Sequence, residues 1–187
     1  WIDLLTQKLK ASLGSKWAGY GYCPATIGPP PGKVAYPRTV PVSYSGTWVY
    51  TGISSVARGA SPTHMNTTND LATLTWTFPD AVPTKVNILY VQKPTGGTFC
   101  YSFDGGSSWS TNVATVGTDA VKTISIDSGL PVAAPWTVIL MSTNMTGPES
   151  LSIAGVYHRS AANGLVVNNL GVQGATAKSY YAWANAT

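Results

Sequence analysis

The stretch LATLTWTF, residues 71–78, is the clearest indicator of the fold in this 187-residue chain. Apolar residues alternate there with threonines, and one face of the alternation carries Ala72, Leu74, Trp76 and Phe78. A period of two places the two sets on opposite sides of a β-strand. The stretch therefore predicts a half-buried strand with Trp76 in the core.

Short runs of β-branched and aromatic residues continue on both sides of this strand. Gly, Pro, Asn, Asp and Ser separate them at the spacing typical of an all-β sandwich. The predicted strands are 46–51, 56–60, 71–78, 85–93, 97–103, 112–117, 120–127, 135–142 and 149–158. The predicted fold class is therefore mainly β, with a jelly-roll-like sandwich over residues 44–160.

The two ends of the chain follow a different pattern. WIDLLTQKLKASLG, residues 1–14, spaces its apolar residues by three and four, which predicts an amphipathic helix that Gly14 ends. Prolines predict a surface connection over residues 15–45. Residues 161–187 predict a strand, a Gly-rich turn and the start of a helix. The predicted domains are 1–43, 44–160 and 161–187, with short α/β segments flanking the sandwich.

The charge pattern limits the classes of partner. Only 10% of the residues are charged, and the net charge of +4 arises from basic residues that form no stripe interleaved with aromatics, so no nucleic acid is expected. No apolar run is long enough to span a bilayer, so no membrane insertion is expected either. The composition favours an extracellular or virion protein.

Cofactor and metal sites have little support in the sequence. Cys23 and Cys100, the two cysteines, belong to no C-x-x-C pair and no metal-spaced cluster. They could form one disulfide or remain two buried thiols. No D-x-D-x-D-G loop is present, so a calcium site is not predicted and no cofactor is expected.

Both ends resemble consecutive pieces of the SGNH (GDSL-type) hydrolase family of esterases and lipases. Trp1, Leu4 and Leu5 are similar to the W-x-x-L-L helix that follows the family's nucleophile. The end of the family's second strand, V-x-N-x-G-x-S-G-A-T, is matched by Val167, Asn169, Gly171, Gly174, Ala175 and Thr176. The resemblance covers about 40 residues, and it implies that the sandwich is inserted between these pieces.

The resemblance implies one catalytic position in this chain, and the family's other catalytic motifs are missing from it. Gly174 stands where a backbone N–H of the family helps to form the oxyanion hole. The chain contains no Gly-Asp-Ser, no Gly-x-Asn-Asp block and no Asp-x-x-His, and Gln173 replaces the family's usual serine. No complete catalytic site is therefore predicted in this chain.

The inserted region resembles galactose-binding-like jelly rolls that accompany sugar esterases. SGTWVYTG, TLTWTFP and CYSFDGGSSW are the similar motifs, within residues 45–109. Low charge and Thr/Ser/Gly-rich strands are also similar to minor tail or fibre proteins of bacteriophages. These resemblances imply a binding or structural role.

Catalysis by the histidines or carboxylates is weakly supported. His64 and His158 have no accompanying nucleophile and acid, and we interpret His158 as a polar residue at a strand end and His64 as a loop residue. The chain contains seven acidic residues, with Glu149 its single glutamate, which argues against a glycosidase.

The seven tryptophans and ten tyrosines are the most suggestive feature. We expect Trp76 and Trp136 in the core, whereas Trp109 and Tyr101 lie at or near turns. An exposed aromatic ring there could stack on a sugar, although exposed aromatics also mark other interfaces. Trp109 and Tyr101 are the predicted ligand-binding residues.

Three functions remain open at this point. The first is a noncatalytic carbohydrate-binding or assembly sandwich module of a phage tail or secreted esterase-like protein, with a cell-surface glycan as partner. The second is part of an SGNH-type carbohydrate esterase whose missing segments lie outside this chain. The third is packing within a virion, through the remainder of the parent protein, other virion proteins or a homo-oligomer.

Overall fold

The computed structural model describes residues 8–9, 11–12, 17–20, 23–25, 40–51, 64–145, 148–160 and 165–167. Residues 8, 9, 11 and 12 are helical, in agreement with the helix predicted there. The rest of that helix, the predicted strand 56–60 and Gly174 lie outside the described residues. No helix among the described residues is long and apolar enough to cross a membrane.

Thirteen strands occur in the described part of the chain. They are β1 Trp17–Tyr20, β2 Cys23–Pro24, β3 Val42–Ser45, β4 Val49–Thr51, β5 His64–Thr67, β6 Thr73–Phe78, β7 Pro83–Gln92, β8 Thr98–Ser102, β9 Val113–Ala114, β10 Ala120–Ile126, β11 Trp136–Thr143, β12 Leu151–Ser160 and β13 Leu165–Val167. Most of the strands predicted between residues 71 and 158 are present, with ends shifted by a few residues.

Two antiparallel sheets form the sandwich. One has five strands in the order β3-β6-β11-β8-β9, and the other has the order β10-β7-β12-β5-β4, with β2 also paired to β12. These sheets confirm the mainly β sandwich predicted from the sequence.

The core lies between the two sheets and follows the alternation seen in the sequence. In β6 and β11 every second residue is buried, and the register sets Val138 opposite Trp76 and Leu140 opposite Leu74. Side chains from the other sheet complete the core, namely Val86, Ile88, Tyr90, Leu151, Ile153 and Val156. Trp76 and Trp136 are buried, as predicted.

An aromatic cluster fills one part of this core. The rings of Phe78 and Trp136 stack at a centroid distance of 4.2 Å. The His158 ring meets both edge-on, at 4.8 Å from Phe78 and 5.1 Å from Trp136. The interpretation of His158 as a polar strand-end residue is wrong. The residue lies inside β12, which continues to Ser160, and its ring is fully buried. Burial lowers its pKa from 6.5 to about 4.

Two other expectations are also corrected. His64 begins β5 and is 5% exposed, whereas the sequence placed it in a loop. The surface connection predicted for residues 15–45 ends in β3, and before it the same segment contains β1 and β2. β1 and β2 are short, and they owe their conformation to pairing with residues more than 100 positions away.

A small parallel sheet lies beside the sandwich. β1 pairs with β13, with Trp17 opposite Leu165 and Tyr20 opposite Val167, and β1 contacts β12. The strand predicted in the last segment is thus present at residues 165–167. The three domain boundaries stay predictions, and β3 begins at Val42, two residues before the predicted start of the sandwich.

Cys23 and Cys100 do not form a disulfide. Both side chains are buried. Of the two alternatives left by the sequence, the structure has two buried thiols.

Candidate functional site

The loop between β8 and β9 is organised by the carboxylate of Asp104. Ser102 Oγ donates to Asp104 Oδ1 at 2.7 Å, the Ser108 amide donates to the same oxygen at 2.9 Å, and the Ser108 hydroxyl donates to Oδ2. These hydrogen bonds hold the pKa of Asp104 well below its usual range, and those from Ser108 contribute most to this shift. The carboxylate stays ionised and keeps the loop closed on itself.

Backbone contacts tie the same loop to the end of β8. The Gly106 amide donates to Ser102 Oγ at 2.9 Å, and Gly106 has a φ of +92°, which a residue with a Cβ adopts at a cost. The Ser110 amide donates to the Tyr101 carbonyl at 2.9 Å, and the Tyr101 amide donates to Ser110 Oγ at 3.0 Å. The loop therefore has one well-defined conformation.

Trp109 is the aromatic side chain that this loop presents. Its indole lies over Gly106, because a Cβ built on that glycine would be 3.3 Å from Trp109 Cζ2. The side chain remains 37% exposed. A ring supported on one side and open on the other offers an apolar surface and an indole N–H to a ligand.

Tyr101 is placed differently from Trp109. It lies opposite Leu140 in the register of β8 and β11, which directs its side chain towards the core. It is half-buried, and its ring lies 5.5 Å from that of Phe103. The described residues show no ring contact between Tyr101 and Trp109, so the two predicted ligand-binding residues do not form one aromatic platform.

The outer side of the five-stranded sheet is a second candidate surface, which the sequence analysis missed. We call it the hydroxyl face, because threonine and serine dominate it. Its members are Ser43, Ser45, Thr73, Thr75, Thr77, Thr98, Cys100, Ser102, Thr137, Ile139, Met141 and Thr143. The threonine alternation at 73–77 was visible, but only the strand register shows that neighbouring strands extend it into one surface.

A third polar cluster lies on the outer side of the other sheet. Lys93 Nζ donates to Asn66 Oδ1 at 3.4 Å, and Ser152 Oγ donates to the same oxygen at 2.9 Å. Burial and the charge of Lys93 lower the pKa of nearby His64 to about 4. A shallow cleft of about 510 Å³ begins at Pro94, the residue after Lys93. Its other lining residues are Val116, Gly117, Thr118 and Asp119.

Metal ligands are not clustered in the part of the chain that the structure describes. No group of three or more His, Cys, Asp or Glu side chains there could hold a metal ion.

Comparison with known proteins places the chain by its fold. No family model and no curated protein matches it. A solved peptidoglycan O-acetylesterase aligns with 96% of this chain and 45% of its own, at 19% identity and a TM-score of 0.52. The alignment with the catalytic domain of Agl-KA covers 79% of this chain and 29% of Agl-KA, at 8% identity and a TM-score of 0.52. The alignment with TmCBM61, solved in complex with β-1,4-galactotriose, covers 63% of this chain and 86% of TmCBM61, at 13% identity and a TM-score of 0.43.

These comparisons show that the chain shares its β-sandwich fold with larger solved proteins. The chain spans less than half the length of the esterase and of Agl-KA. Since the alignment with the esterase covers 96% of this chain, it takes in the sandwich together with most of the flanking residues.

Proposed function

We propose that the sandwich is a noncatalytic carbohydrate-binding module, part of a phage tail or a secreted esterase-like protein, whose partner is a cell-surface glycan. The observation that carries the proposal is Trp109, a partly exposed indole on a loop fixed by Asp104 and Ser102. The structural likeness to a peptidoglycan O-acetylesterase supports a role near carbohydrate.

Preorganisation is the physical reason to favour binding at this loop. Ordering a flexible loop on a ligand costs free energy, which a loop already held by its own hydrogen bonds avoids. Buried, well-supported aromatic anchors supply much of the free energy of binding in protein interfaces. Trp109 combines a fixed position with an open ring surface, so stacking on a sugar ring needs little rearrangement.

Replacement of Trp109 with alanine is expected to weaken glycan binding at least about tenfold, because it removes the stacking surface. Trp109→Tyr keeps an aromatic ring over Gly106 and should retain most of the affinity. Val132→Ala changes a side chain that is 93% exposed elsewhere and serves as the matched control. The measurement is retention of the purified chain on a glycan array and on isolated cell walls.

Two results would count against this proposal. Equal retention of wild type and Trp109→Ala would exclude the loop as the contact. If the wild type is retained on no surface, an assembly role within a tail or virion becomes the better account, and crosslinking to neighbouring virion proteins is then the relevant assay.

The parallel pairing of β1 with β13 favours a second candidate function. β1 has four residues and β13 has three. Parallel strands are typical of larger α/β sheets, and a pair as short as this one is not expected to be stable by itself. This supports the hypothesis that the flanks belong to an SGNH-type carbohydrate esterase, with Gly174 contributing to its oxyanion hole and the nucleophile outside this chain.

The esterase hypothesis has a direct test. The chain is produced alone and together with the segments encoded on either side of it, and both preparations are assayed on an aryl acetate and on an O-acetylated glycan. Ester hydrolysis only in the combined protein, lost when a serine within an encoded Gly-Asp-Ser motif is changed to alanine, is the expected result. Flanking segments without Gly-Asp-Ser and Asp-x-x-His would contradict the hypothesis.

A further inference from the structure

The hydroxyl face contains no charged side chain. The register aligns its members in rows across the sheet, such as Ser43, Thr75, Ile139 and Ser102. An open sheet face of a soluble protein usually carries charged residues. This face instead offers hydroxyl groups and methyl groups side by side.

Several of its hydroxyls are free to bind a ligand. Those of Thr73, Thr75, Thr77 and Thr137 make no hydrogen bond within the described residues, and each of these threonines is partly exposed. Thr98 and Thr143, nearer the β9 edge, are already hydrogen-bonded to each other. The unpaired hydroxyls lie on the adjacent strands β6 and β11, so they form one continuous patch.

The Trp109 loop borders this face. Ser102 ends β8, and its side chain lies on the hydroxyl face, where it bonds Asp104 and the Gly106 amide. The loop that carries Trp109 is therefore anchored to the margin of the same surface. An aromatic ring at the rim and hydroxyls across the sheet could contact one extended ligand.

The size of the face indicates what kind of occupant fits it. The members lie on four strands, and four strands at about 4.8 Å spacing with five residues at about 3.4 Å rise give roughly 300 Å². A stable protein dimer buries about 800 Å² on each partner, so this face alone is too small for a second copy of the chain. A chain of a few sugar rings has a matching width and length.

The chemistry of the face selects among glycans. Sugar rings alternate hydroxyl groups with C–H surfaces, and both are complemented by threonine, which carries a hydroxyl and a methyl group. An acidic glycan would find no cation on the face to balance the desolvation of its carboxylates. A neutral chain loses less hydration on binding.

We propose that the hydroxyl face and the Trp109 loop together form an extended site for a linear, uncharged glycan. The inference rests on the proposed carbohydrate-binding function and names its ligand class. Cys100 and Ser102 of β8 are buried, so binding would run from the indole at the rim to the partly exposed threonines of β11 and β6.

The test exchanges one hydroxyl for a methyl group on each sheet. Thr75→Val, on the hydroxyl face, should weaken binding of a neutral linear glycan about 2- to 10-fold, the effect of one lost hydrogen bond. Thr123→Val makes the same change at an exposed position of β10, on the other sheet, and should leave binding unchanged. The probes are soluble β-1,4-galactan, cello-oligosaccharides and chito-oligosaccharides, with polygalacturonate as the acidic comparison.

A second pair of variants makes the result independent of one hydroxyl. Thr75→Arg introduces a bulky cation on the face and should abolish binding of the neutral probes, while Thr123→Arg should not. Thermal unfolding of each variant identifies any loss of folding, in which case shifts of the threonine methyl NMR signals of the wild type upon adding the glycan decide the question.

The outcomes separate this inference from the function on which it rests. Binding that depends on Trp109 but not on Thr75, without shifts of the β6 and β11 threonine methyl groups, overturns the extended site and leaves the carbohydrate-binding proposal intact. Preference for polygalacturonate overturns the ligand class. If the wild type binds none of the probes or the cell walls, both proposals fall.

Discussion

Replacing Phe78 with alanine is expected to lower the free energy of unfolding by about 3 to 5 kcal/mol, the usual cost of emptying a phenylalanine site in a closed core. Phe78 is fully buried, stacked on Trp136 at 4.2 Å and contacted edge-on by His158. The neighbouring strands β11 and β12 belong to different sheets, so the surrounding side chains cannot readily close the cavity.

Urea unfolding followed by tryptophan fluorescence and circular dichroism measures this effect. Phe78→Leu retains most of the volume and should cost less than Phe78→Ala, and Val132→Ala, at a position 93% exposed, should change stability by less than about 0.5 kcal/mol. A Phe78→Ala protein as stable as wild type would mean that the two sheets do not meet at this cluster.

Acidification from pH 7 to about pH 4 is expected to destabilise the fold through His158, by about 3 kcal/mol. The folded state keeps this ring neutral until about pH 4, whereas the unfolded chain binds the proton near pH 6.5. Because only the unfolded state gains the proton between these values, stability is full above pH 6.5 and decreases as pH falls towards 4. His64 acts in the same direction in this range, since burial also lowers its pKa to about 4.

His158→Phe isolates the contribution of this residue. The phenylalanine ring can keep the edge-on contacts with Phe78 and Trp136 and cannot take up a proton. The dependence of stability on pH between 4 and 6.5 should therefore fall by about half, and the remainder is the share of His64. Urea unfolding at several pH values gives the slopes to compare, and His64→Gln reports the share of the other histidine. A slope unchanged in His158→Phe would show that another group is responsible.

The fold could be predicted where the local pattern and the tertiary environment agree. In β6 and β11 the alternation of apolar and polar residues places Trp76 and Trp136 correctly, because each strand has one buried and one open face. In β5 the sequence HMNT shows little of this pattern, and its preceding proline indicates a loop. His64 is buried in that strand by neighbours that the local sequence does not reveal.

The candidate site was accessible to sequence analysis only in part. The Gly-Gly turn indicates an exposed Trp109, and the structure places it so. The register of β8 with β11 directs Tyr101 inwards, and no local feature of GTFCYSF reveals that register. The hydroxyl face is hidden for the same reason: its rows combine residues from β3, β6, β11 and β8, which are distant along the chain.

The β1–β13 pair also determines how the protein would respond to pulling. The strands are parallel, so a force applied through the residues before Trp17 and after Val167 acts on opposite ends of the pair and loads its hydrogen bonds in shear. The sandwich lies between these strands in the sequence and bears no tension while the pair holds. When the pair ruptures, the tension passes to the sandwich. A β1–β13 clamp of this kind would keep mechanical load off the sandwich until its own hydrogen bonds break.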